Sequence, residues 1–209
     1  GGADILWLET ARMIRPSALC RLKGLNPDTA IICYSEDDMM NPRNRTVWLQ
    51  RSMPLIDLWA TTKSLNMRPE ERDALKLRNM LFVNNSYDTD IHRPVDVGPA
   101  DIQTFGVPVS FIGTYEAPRA RSVIHLASSG VPVRVWGNGW EKLRGRHENL
   151  KIEGRPAYND EFAKVVSASM VNLCFLRHAN RDLQTCRSIE LPACGGFMVH
   201  ERNDEIEAL

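Results

Sequence analysis

Short apolar runs alternate with segments of helical periodicity along most of the chain. Apolar runs predict strands at residues 4–8, 29–34, 55–60, 79–83, 107–113, 131–135, 152–158, 170–175 and 197–199. Between them, helix signals such as the proline that opens 16–23 predict helices at 16–23, 42–52, 66–77, 118–127 and after 159. Strand–helix alternation of this kind predicts parallel sheets, and wholly apolar strands are typical of sheets that are covered on both faces.

The pattern therefore predicts an α/β protein with two Rossmann-like, doubly wound domains. Residues 84–98 are rich in Asn, Asp and Pro and lack periodicity, which is typical of a connector between domains. We expect a first domain with its linker at 1–97 and a second domain at 98–209. Because the chain opens directly on a strand, we expect the first domain to be incomplete at its N-terminus.

Composition adds few constraints on partners. The formal net charge is zero, so nothing indicates nucleic acid or an anionic membrane surface, and we expect neither as a partner. No apolar run approaches the ~18 residues of a membrane span, which predicts no integral membrane segment. Five cysteines lack metal-type spacing, so we expect reduced core thiols in a cytoplasmic protein. Cys186 or Cys194 as a nucleophile is an alternative, although no Cys–His spacing supports it.

Residues 180–201 combine apolar periodicity with regularly placed polar groups. Leu183, Cys186, Ile189 and Ala193 recur at helical spacing before a Gly-Gly pair, and an apolar strand follows. Polar side chains fall where this helix begins and along its first turns, namely Asp182, Thr185, Arg187 and Glu190. Because a helix N-terminus presents N–H groups and a positive dipole, the segment predicts a phosphate-bearing ligand.

The run RSIELPACGG at 187–196 resembles the signature of the CgeB-like (spore maturation protein) glycosyltransferases, within the group 1 glycosyltransferase superfamily. The resemblance continues in FIGTYEAPRARSVIHLASSGVPVRVWGNGW (111–140) and PAYNDEFAKVVSASMVNLCFLRHANRD (156–182), so it covers most of 107–209. It implies a GT-B fold, in which the first domain lies on the acceptor side and the second binds a nucleotide-sugar donor. The implied partners are that donor and an unknown sugar, protein or small-molecule acceptor.

The resemblance also implies catalytic residues. Asp182 and Glu190 are separated by seven residues, as are the two acids of retaining GT-B enzymes, although Asp182 stands where Glu is usual. At this spacing both acids are expected near one face of a helix. Glu190 would bind the donor ribose, and Arg187, with Arg119 or Arg121 as a second arm, would neutralise the leaving diphosphate. The implied reaction is a metal-free, retaining hexosyl transfer without a cofactor other than the donor substrate.

The implied donor contacts also include backbone approaches and loop side chains: Gly113, Tyr115, Arg119, Arg121, Gly137, Asn138, Tyr158, Thr185 and Glu190. Trp136 and Trp140 flank the glycine-rich loop, where they either stack on a nucleobase or close the core. His178 either donates a hydrogen bond to a phosphate or belongs to the polar surface.

Several alternatives remain open at this point. Asp88-Thr89-Asp90 matches the Asp-x-Asp spacing of metal-dependent transferases, but two Asp in a linker are also typical of a turn. The polar loop 35–38 is either solvated, a metal pair or an acceptor contact. Arg187 and Glu190 are three apart on a helix and could simply pair with each other. A catalytically idle sugar-nucleotide-binding module is the alternative to an enzyme.

Overall fold

The computed structural model describes residues 2–209, so the prediction for a domain that starts at residue 1 is compared from residue 2 onward. The chain divides into two compact units. The first runs up to Asn84 and also includes Arg177–Gln184, and the second comprises Asn85–Leu176 and Thr185–Leu209. Among the described residues, every helix is too short or too polar to cross a membrane.

The first unit is a parallel four-stranded sheet in chain order with helices on the connections. Its strands are β1 (Ile5–Glu9), β2 (Ala30–Ser35), β3 (Leu58–Thr61) and β4 (Met80–Phe82), in the order β1-β2-β3-β4. Its helices are α1 (Pro16–Leu25), α2 (Val47–Ser52) and α3 (Pro69–Leu75). Proline in the first turn favours α1 and α3, and the Thr46 side chain accepts from the Leu49 N–H at the start of α2.

Two predicted helices of this unit are shorter than expected. Helix 42–52 is interrupted: a 3₁₀ turn, Pro42–Asn44, ends at Arg45, and Thr46 then caps α2. Helix 66–77 likewise divides into a 3₁₀ turn, Ser64–Met67, and α3, because the proline at residue 69 fits only the first turn of a helix.

The core of the first unit lies on one face of its sheet, which corrects the prediction of strands covered on both faces. Leu8, Ile31, Cys33 and Trp59 are buried together with residues of α1–α3. The alternate positions point away from that core, and Trp7 is 54% exposed and stacks on Tyr34. The apolar runs of the first sheet therefore include side chains on a face that is only partly covered.

The second unit has a parallel five-stranded sheet whose order reverses at its first strand. Its strands are β5 (Val107–Ile112), β6 (Val133–Trp136), β7 (Leu150–Ile152), β8 (Ser169–Cys174) and β9 (Met198–His200), in the order β7-β6-β5-β8-β9. Its helices are α4 (Pro99–Phe105), α5 (Ala117–Ser128), α6 (Asn159–Ala168), α7 (Cys186–Ala193) and α8 (Asp204–Glu207). This doubly wound order places a switch point between β5 and β8, where α/β proteins bind ligands outside the carboxyl ends of the strands.

Apolar side chains cover both faces of this second sheet. Val109 and Phe111 of β5 pack with α5 on one face. Ile112 of the same strand packs with α6 and α7 on the other face. The strand prediction holds here because alternate residues of β5 each face a separate core.

The linker belongs to the second unit, so the boundary lies at Asn84–Asn85 and not after residue 97. Val95 packs against the α6–α7 core, and the His92 ring meets Phe162 edge to face at 5.2 Å. The sequence pattern did not predict these contacts, because each is made by a single side chain and produces no periodicity.

Residues 177–184 leave the second unit after β8 and are anchored in the first unit by a buried polar network. The Arg181 guanidinium donates to Asp38 at 2.6 and 2.7 Å and to Glu71 at 2.8 and 2.9 Å. Asn66 donates to both of the same carboxylates at 2.8 Å. Asp38 is buried, which corrects the expectation of a solvated loop at 35–38.

The network changes the pKa of both acids in the same direction. Burial by itself raises the pKa of Asp38, but hydrogen bonds from Arg181 and Asn66 outweigh it, and the net pKa is lowered. For Glu71 the hydrogen bond from Arg181 is the largest cause, and its pKa is also lowered. Both carboxylates are therefore stabilised in their charged form.

Replacing Arg181 should destabilise the protein strongly. Arg181→Ala would leave the buried carboxylates of Asp38 and Glu71 without their cation, and we expect the unfolding free energy to fall by about 2 to 4 kcal/mol. The loss is smaller than for a fully buried pair, because the arginine itself is 37% exposed and water screens part of its charge. Urea unfolding monitored by circular dichroism measures the difference. Arg21→Ala, an exposed arginine of α1, is the matched control and should change the unfolding free energy by less than about 0.5 kcal/mol. Equal effects of the two substitutions would contradict the account.

The same acids should make stability depend on pH. Because their folded pKa values lie below the ordinary 3.8 and 4.5, their contribution is complete above those values and is lost as the pH falls through the folded ones. Urea unfolding between neutral pH and pH ~3 should show a loss of stability that is smaller in Arg181→Ala, since there the acids lose their main cause of a lowered pKa. Parallel pH profiles for the two proteins would count against this origin.

Candidate functional site

The loop after β5 is the meeting point of three elements of the second unit. Three successive carbonyls accept hydrogen bonds from side chains: Ile112 O from Arg187 Nε at 3.3 Å, Gly113 O from Trp140 Nε1 at 2.8 Å, and Thr114 O from Arg119 Nη1 at 3.1 Å. The donors come from α7, from the loop after β6 and from α5. The polar groups of three segments thus converge at the carboxyl end of β5, on the switch point.

Gly137 fits closely against this loop. A Cβ at residue 137 would lie 1.9 Å from Gly113 O, and its φ of +148° favours glycine. Its N–H donates to Arg155 O at 2.9 Å, while the Gly113 N–H donates to Trp136 O at 2.8 Å. The close approach that the structure shows at these two glycines is between two loops of the protein, and their predicted approach to a ligand stays a prediction.

Arg187 and Glu190 form an ion pair on the first turns of α7, between Arg187 Nη1 and Glu190 Oε2. The guanidinium also lies 4.7 Å above the Phe162 ring. Arg187 retains 33% of its side-chain exposure and Glu190 retains 12%. A guanidinium has five N–H donors and a carboxylate about four acceptor positions, so this pair leaves donors and acceptors for a ligand.

His92 of the linker approaches the other oxygen of Glu190. Its Nδ1 accepts from the Asp88 N–H at 3.0 Å, so in the neutral ring Nε2 carries the proton and lies 3.6 Å from Glu190 Oε1. Sequence reasoning missed His92, because the sequence gives no signal that a linker histidine packs on α7.

The start of α7 is closed by a capping box. The Thr185 side chain accepts from the Ser188 N–H, and the Thr185 N–H donates to Ser188 Oγ at 2.9 Å. Ser188 Oγ also lies 2.8 Å from His200 Nε2, and His200 Nδ1 donates to Glu201 O at 2.6 Å. Thr185, predicted to contact the donor, therefore has a structural task as the first residue before the helix.

The helix begins at Cys186, which corrects the expectation that Asp182 and Glu190 share one helix face. Asp182 belongs to the first unit, where Lys63 Nζ lies 2.7 Å from Oδ1 and Asn180 Nδ2 donates to the same atom at 2.7 Å. Both partners of the Lys63–Asp182 pair are about 5% exposed or less. His178 also lies in the first unit, on its exposed surface. The predicted role of Asp182 toward the sugar stays a prediction.

Arg119 and Arg121 do not act as a pair. Arg119 is 9% exposed, and besides Thr114 O it reaches Phe175 O at 3.5 Å and lies 3.5 Å from Glu116 Oε1. Arg121, two positions further on α5, is exposed, because residues two apart on a helix point in different directions. Arg119 links the loops after β5 and β8, which are the two sides of the switch point.

The aromatic residues around the glycine-rich loop divide between core and surface. Trp136 and Trp140 are fully buried, so they close the core and are not available to stack on a base. Tyr115 is half-buried, contacts Trp140 edge to face at 5.3 Å, and donates its N–H to Asn138 O at 2.9 Å. The Asn138 side chain is exposed, and Tyr158 is 66% exposed at the start of α6.

Asp88 is part of a turn. Its Oδ1 accepts from the N–H groups of Asp90 at 2.8 Å and Ile91 at 3.3 Å. Within residues 2–209, no three His, Cys, Asp or Glu side chains are grouped so as to hold a metal ion. The linker thus has the hydrogen bonding of an Asx turn.

The cysteines correspond to the predicted core thiols at three of five positions. Cys33, Cys174 and Cys194 are buried, Cys186 is half-buried, and Cys20 is exposed on α1, which corrects that part of the prediction. Burial, followed by the charge of Glu190, raises the pKa of Cys194 to about 11. Burial also raises the pKa of Cys174. Cys194 is therefore protonated at neutral pH and unsuited to act as a nucleophile.

The comparison with protein families concerns the C-terminal part of the chain, which carries the donor side chains of this geometry. Residues 119–209 match the glycosyl transferase-like family. The matched range includes α5 from Arg119 onward, the glycine-rich loop and α7. Comparison with curated protein sequences finds no match.

Known structures share the fold of the chain at low sequence identity. An α-glucosyltransferase in complex with UDP and DNA is 15% identical, with a TM-score of 0.58 over 94% of this chain and 60% of that one. Sucrose-phosphate synthase from Thermosynechococcus elongatus is 12% identical, with a TM-score of 0.60 over 94% of this chain and 55% of that one. A Listeria monocytogenes protein described as a UDP-N-acetylglucosamine 2-epimerase is 11% identical, with a TM-score of 0.52 over 96% and 57%.

These likenesses establish the fold class. The chain has the α/β architecture of GT-B glycosyltransferases and spans about 55–60% of the length of these structural neighbours. The predicted fold class is thereby confirmed. At this identity the neighbours bear on the fold alone, and activity has to be argued from the site.

Replacing Gly137 by alanine should lower the unfolding free energy by more than the strain of its backbone conformation alone would. Gly137→Ala adds a Cβ that collides with Gly113 O, so we expect a loss of about 1 to 3 kcal/mol in unfolding free energy. Gly130→Ala is the matched control, because its φ is +86° but nothing lies within 4 Å of the added Cβ. Urea unfolding of both variants separates collision from backbone strain. A Gly130→Ala variant as unstable as Gly137→Ala would show that the contact between the loops is unimportant.

Proposed function

We propose that the chain transfers a sugar from a nucleoside diphosphate sugar to an acceptor. The observation that carries the proposal is the convergence of Arg187, Arg119 and Trp140 on the carbonyls of residues 112–114 at the end of β5. The three donor side chains lie in the range that matches the glycosyl transferase-like family. The switch point of an open α/β sheet is the expected place for a nucleotide. The CgeB-like resemblance of residues 107–209 supports the same assignment.

Arg187 is the group that we assign to the leaving diphosphate. When the bond between the sugar C1 and the diphosphate oxygen breaks, negative charge grows on the diphosphate, and a fixed guanidinium stabilises it. Arg187 is held from two sides by Ile112 O and the Phe162 ring, yet a third of its side chain is exposed. No metal is required for this step, which supports the metal-independent reaction that the resemblance implies.

Glu190 is proposed to accept from the ribose hydroxyls of the donor. His92 and Arg187 each approach one of its two oxygens, which fixes the position of the carboxylate. Arg187 and Glu190 can pair with each other and still contact a donor, because both side chains keep exposed atoms. Arg119 is assigned a positioning role, because its guanidinium is used by backbone carbonyls.

Three features remain part of the proposal by analogy: hexosyl transfer, retention of the anomeric configuration and a CgeB-like specificity. Retention was inferred from the Asp182–Glu190 spacing, and the placement of Asp182 outside α7 removes the helical argument for it. Product analysis by NMR of the new glycosidic bond decides between retention and inversion.

The first test is thermal stability of the chain with a panel of nucleoside diphosphates, each with and without chelator. A ligand that binds only the native state raises the melting temperature. We expect a shift for one nucleotide that is insensitive to chelator and is lost in Glu190→Ala and Arg187→Ala. Glu148→Ala and Arg146→Ala, exposed residues of the same unit, are the matched controls and should keep the shift. Absence of a shift with every nucleotide would contradict the donor site.

Turnover separates the alternatives. Once an acceptor is found, Arg187→Ala should lose about 2 to 4 kcal/mol of transition-state stabilisation, measured as kcat/KM. Wild-type turnover in this variant would remove Arg187 from the mechanism. Nucleotide binding with no transfer to any acceptor would favour a catalytically idle module, and a shift that chelator abolishes would favour a metal site at Asp88 and Asp90.

A further inference from the structure

Five arginines and one tryptophan lie in the segments that follow β1 and β2 of the first unit. We name this group the arginine surface: Arg12, Arg15, Arg43, Arg45, Trp48 and Arg51. Arg12 and Arg15 follow β1, Arg43 and Arg45 follow β2, and the other two residues lie on α2. The segments that carry Arg12, Arg15, Arg43 and Arg45 leave the carboxyl ends of two neighbouring strands.

Specific contacts hold these residues together. Arg12 Nη2 donates to Arg43 O at 2.7 Å, and the Thr46 hydroxyl donates to Arg12 O, which joins the two loops. The guanidinium carbons of Arg15 and Arg51 lie 5.3 and 6.0 Å from the centre of the Trp48 ring. Arg12, Arg15 and Arg51 are therefore each held by a contact within this group.

Within residues 2–209, none of these five guanidinium groups forms an ion pair with a carboxylate. Elsewhere in the same unit, by contrast, Lys23 pairs with Asp57, Lys63 with Asp182, and Arg181 with two carboxylates. Arg45 Nε is buried and has no hydrogen-bond partner in the described part of the chain. Neighbouring like charges that lack counter-charges favour an anionic ligand.

A cavity adjoins the arginine surface between α2 and α3. It has a volume of about 350 Å³, within the range of small-molecule sites, and its polar lining consists of Gln50, Arg51 and Lys76. Arg51 belongs both to this cavity and to the arginine surface. The cavity therefore offers room for an uncharged part of a ligand beside the cations.

The chemistry of the cations points to phosphate. All five are arginines, whose planar fork matches two oxygens of a phosphate, whereas lysine offers only a point charge. A phosphate monoester carries a charge of about −1.5 to −2 at neutral pH, which several converging guanidinium groups neutralise more completely than one does.

We propose that the arginine surface binds a phosphate group of the acceptor. That the phosphate belongs to an acceptor rests on the proposed function, whereas phosphate binding by this surface does not. Two sources share this chemistry: a phosphorylated sugar, which the adjoining cavity would accommodate, and the phosphodiester backbone of a polymer.

Isothermal titration calorimetry of the full chain tests the proposal with three probes: glucose 6-phosphate, glucose as its uncharged match, and a short DNA duplex. Glucose 6-phosphate should bind and glucose should not. The double variant Arg12→Gln/Arg43→Gln, in which both changed residues are exposed, should weaken binding at least about tenfold. Arg21→Gln, an exposed arginine of α1, and Arg146→Gln, an exposed arginine of the other unit, should bind as the wild type does. Unchanged melting temperatures exclude misfolding as the cause.

The outcomes separate the two sources and the two proposals. Binding of glucose 6-phosphate alone supports a small phosphorylated acceptor, and binding of the duplex with steep salt dependence supports a polymer. Failure of both phosphate probes, or equal losses in the double variant and in Arg21→Gln, overturns the proposal. If the probes bind while no nucleoside diphosphate raises the melting temperature, the donor site fails and the phosphate site stands.

Discussion

The hydrogen bonds accepted by the three carbonyls at the end of β5 are the constraint on which the candidate site of the second unit depends. Arg187, Trp140 and Arg119 each come from a different element, and each is fixed by one of these carbonyls. Because the carbonyls are backbone groups at the end of a strand buried on both faces, their positions are set by the core itself. The placement of the proposed phosphate-binding arginine thus follows from sheet packing, and Glu190 is oriented in turn by that arginine and by His92.

Sequence reasoning recovered most strands of both units, because apolar runs are local signals, but the strand predicted at 152–158 overlaps β7 only at Ile152. Apolar runs such as 107–113 correspond to strands, and the spacing of Arg187 and Glu190 placed them correctly on the first turns of a helix. Helix boundaries were less accurate: Asp182 seemed to extend α7, but the capping box of Thr185 and Ser188 starts the helix later. Periodicity alone does not distinguish a helical turn from a turn that is anchored elsewhere.

Long-range polar contacts were beyond prediction for a physical reason. The partners of Arg181 are 143 and 110 residues away in the chain, and nothing local marks Asp38 or Glu71 as buried. The position of His92 could not be predicted for the same reason, because its contact with Glu190 joins two residues that are far apart in the chain. The sequence did not decide whether Trp136 and Trp140 stack on a nucleobase or close the core, because the glycines beside them fit both a ligand-binding loop and a tight turn in the core. Burial of both Trp136 and Trp140 decided the question in favour of the core.

The excursion of residues 177–184 has a consequence for modularity. The chain changes from one unit to the other three times, after residues 84, 176 and 184, so one cut does not divide it into two self-sufficient pieces. A recombination event that exchanged only residues before 84 would bring a foreign sheet to Arg181 and Asp182, which require Asp38, Glu71 and Lys63. The two units of this chain are therefore expected to be inherited together, or to be exchanged only with these eight residues included.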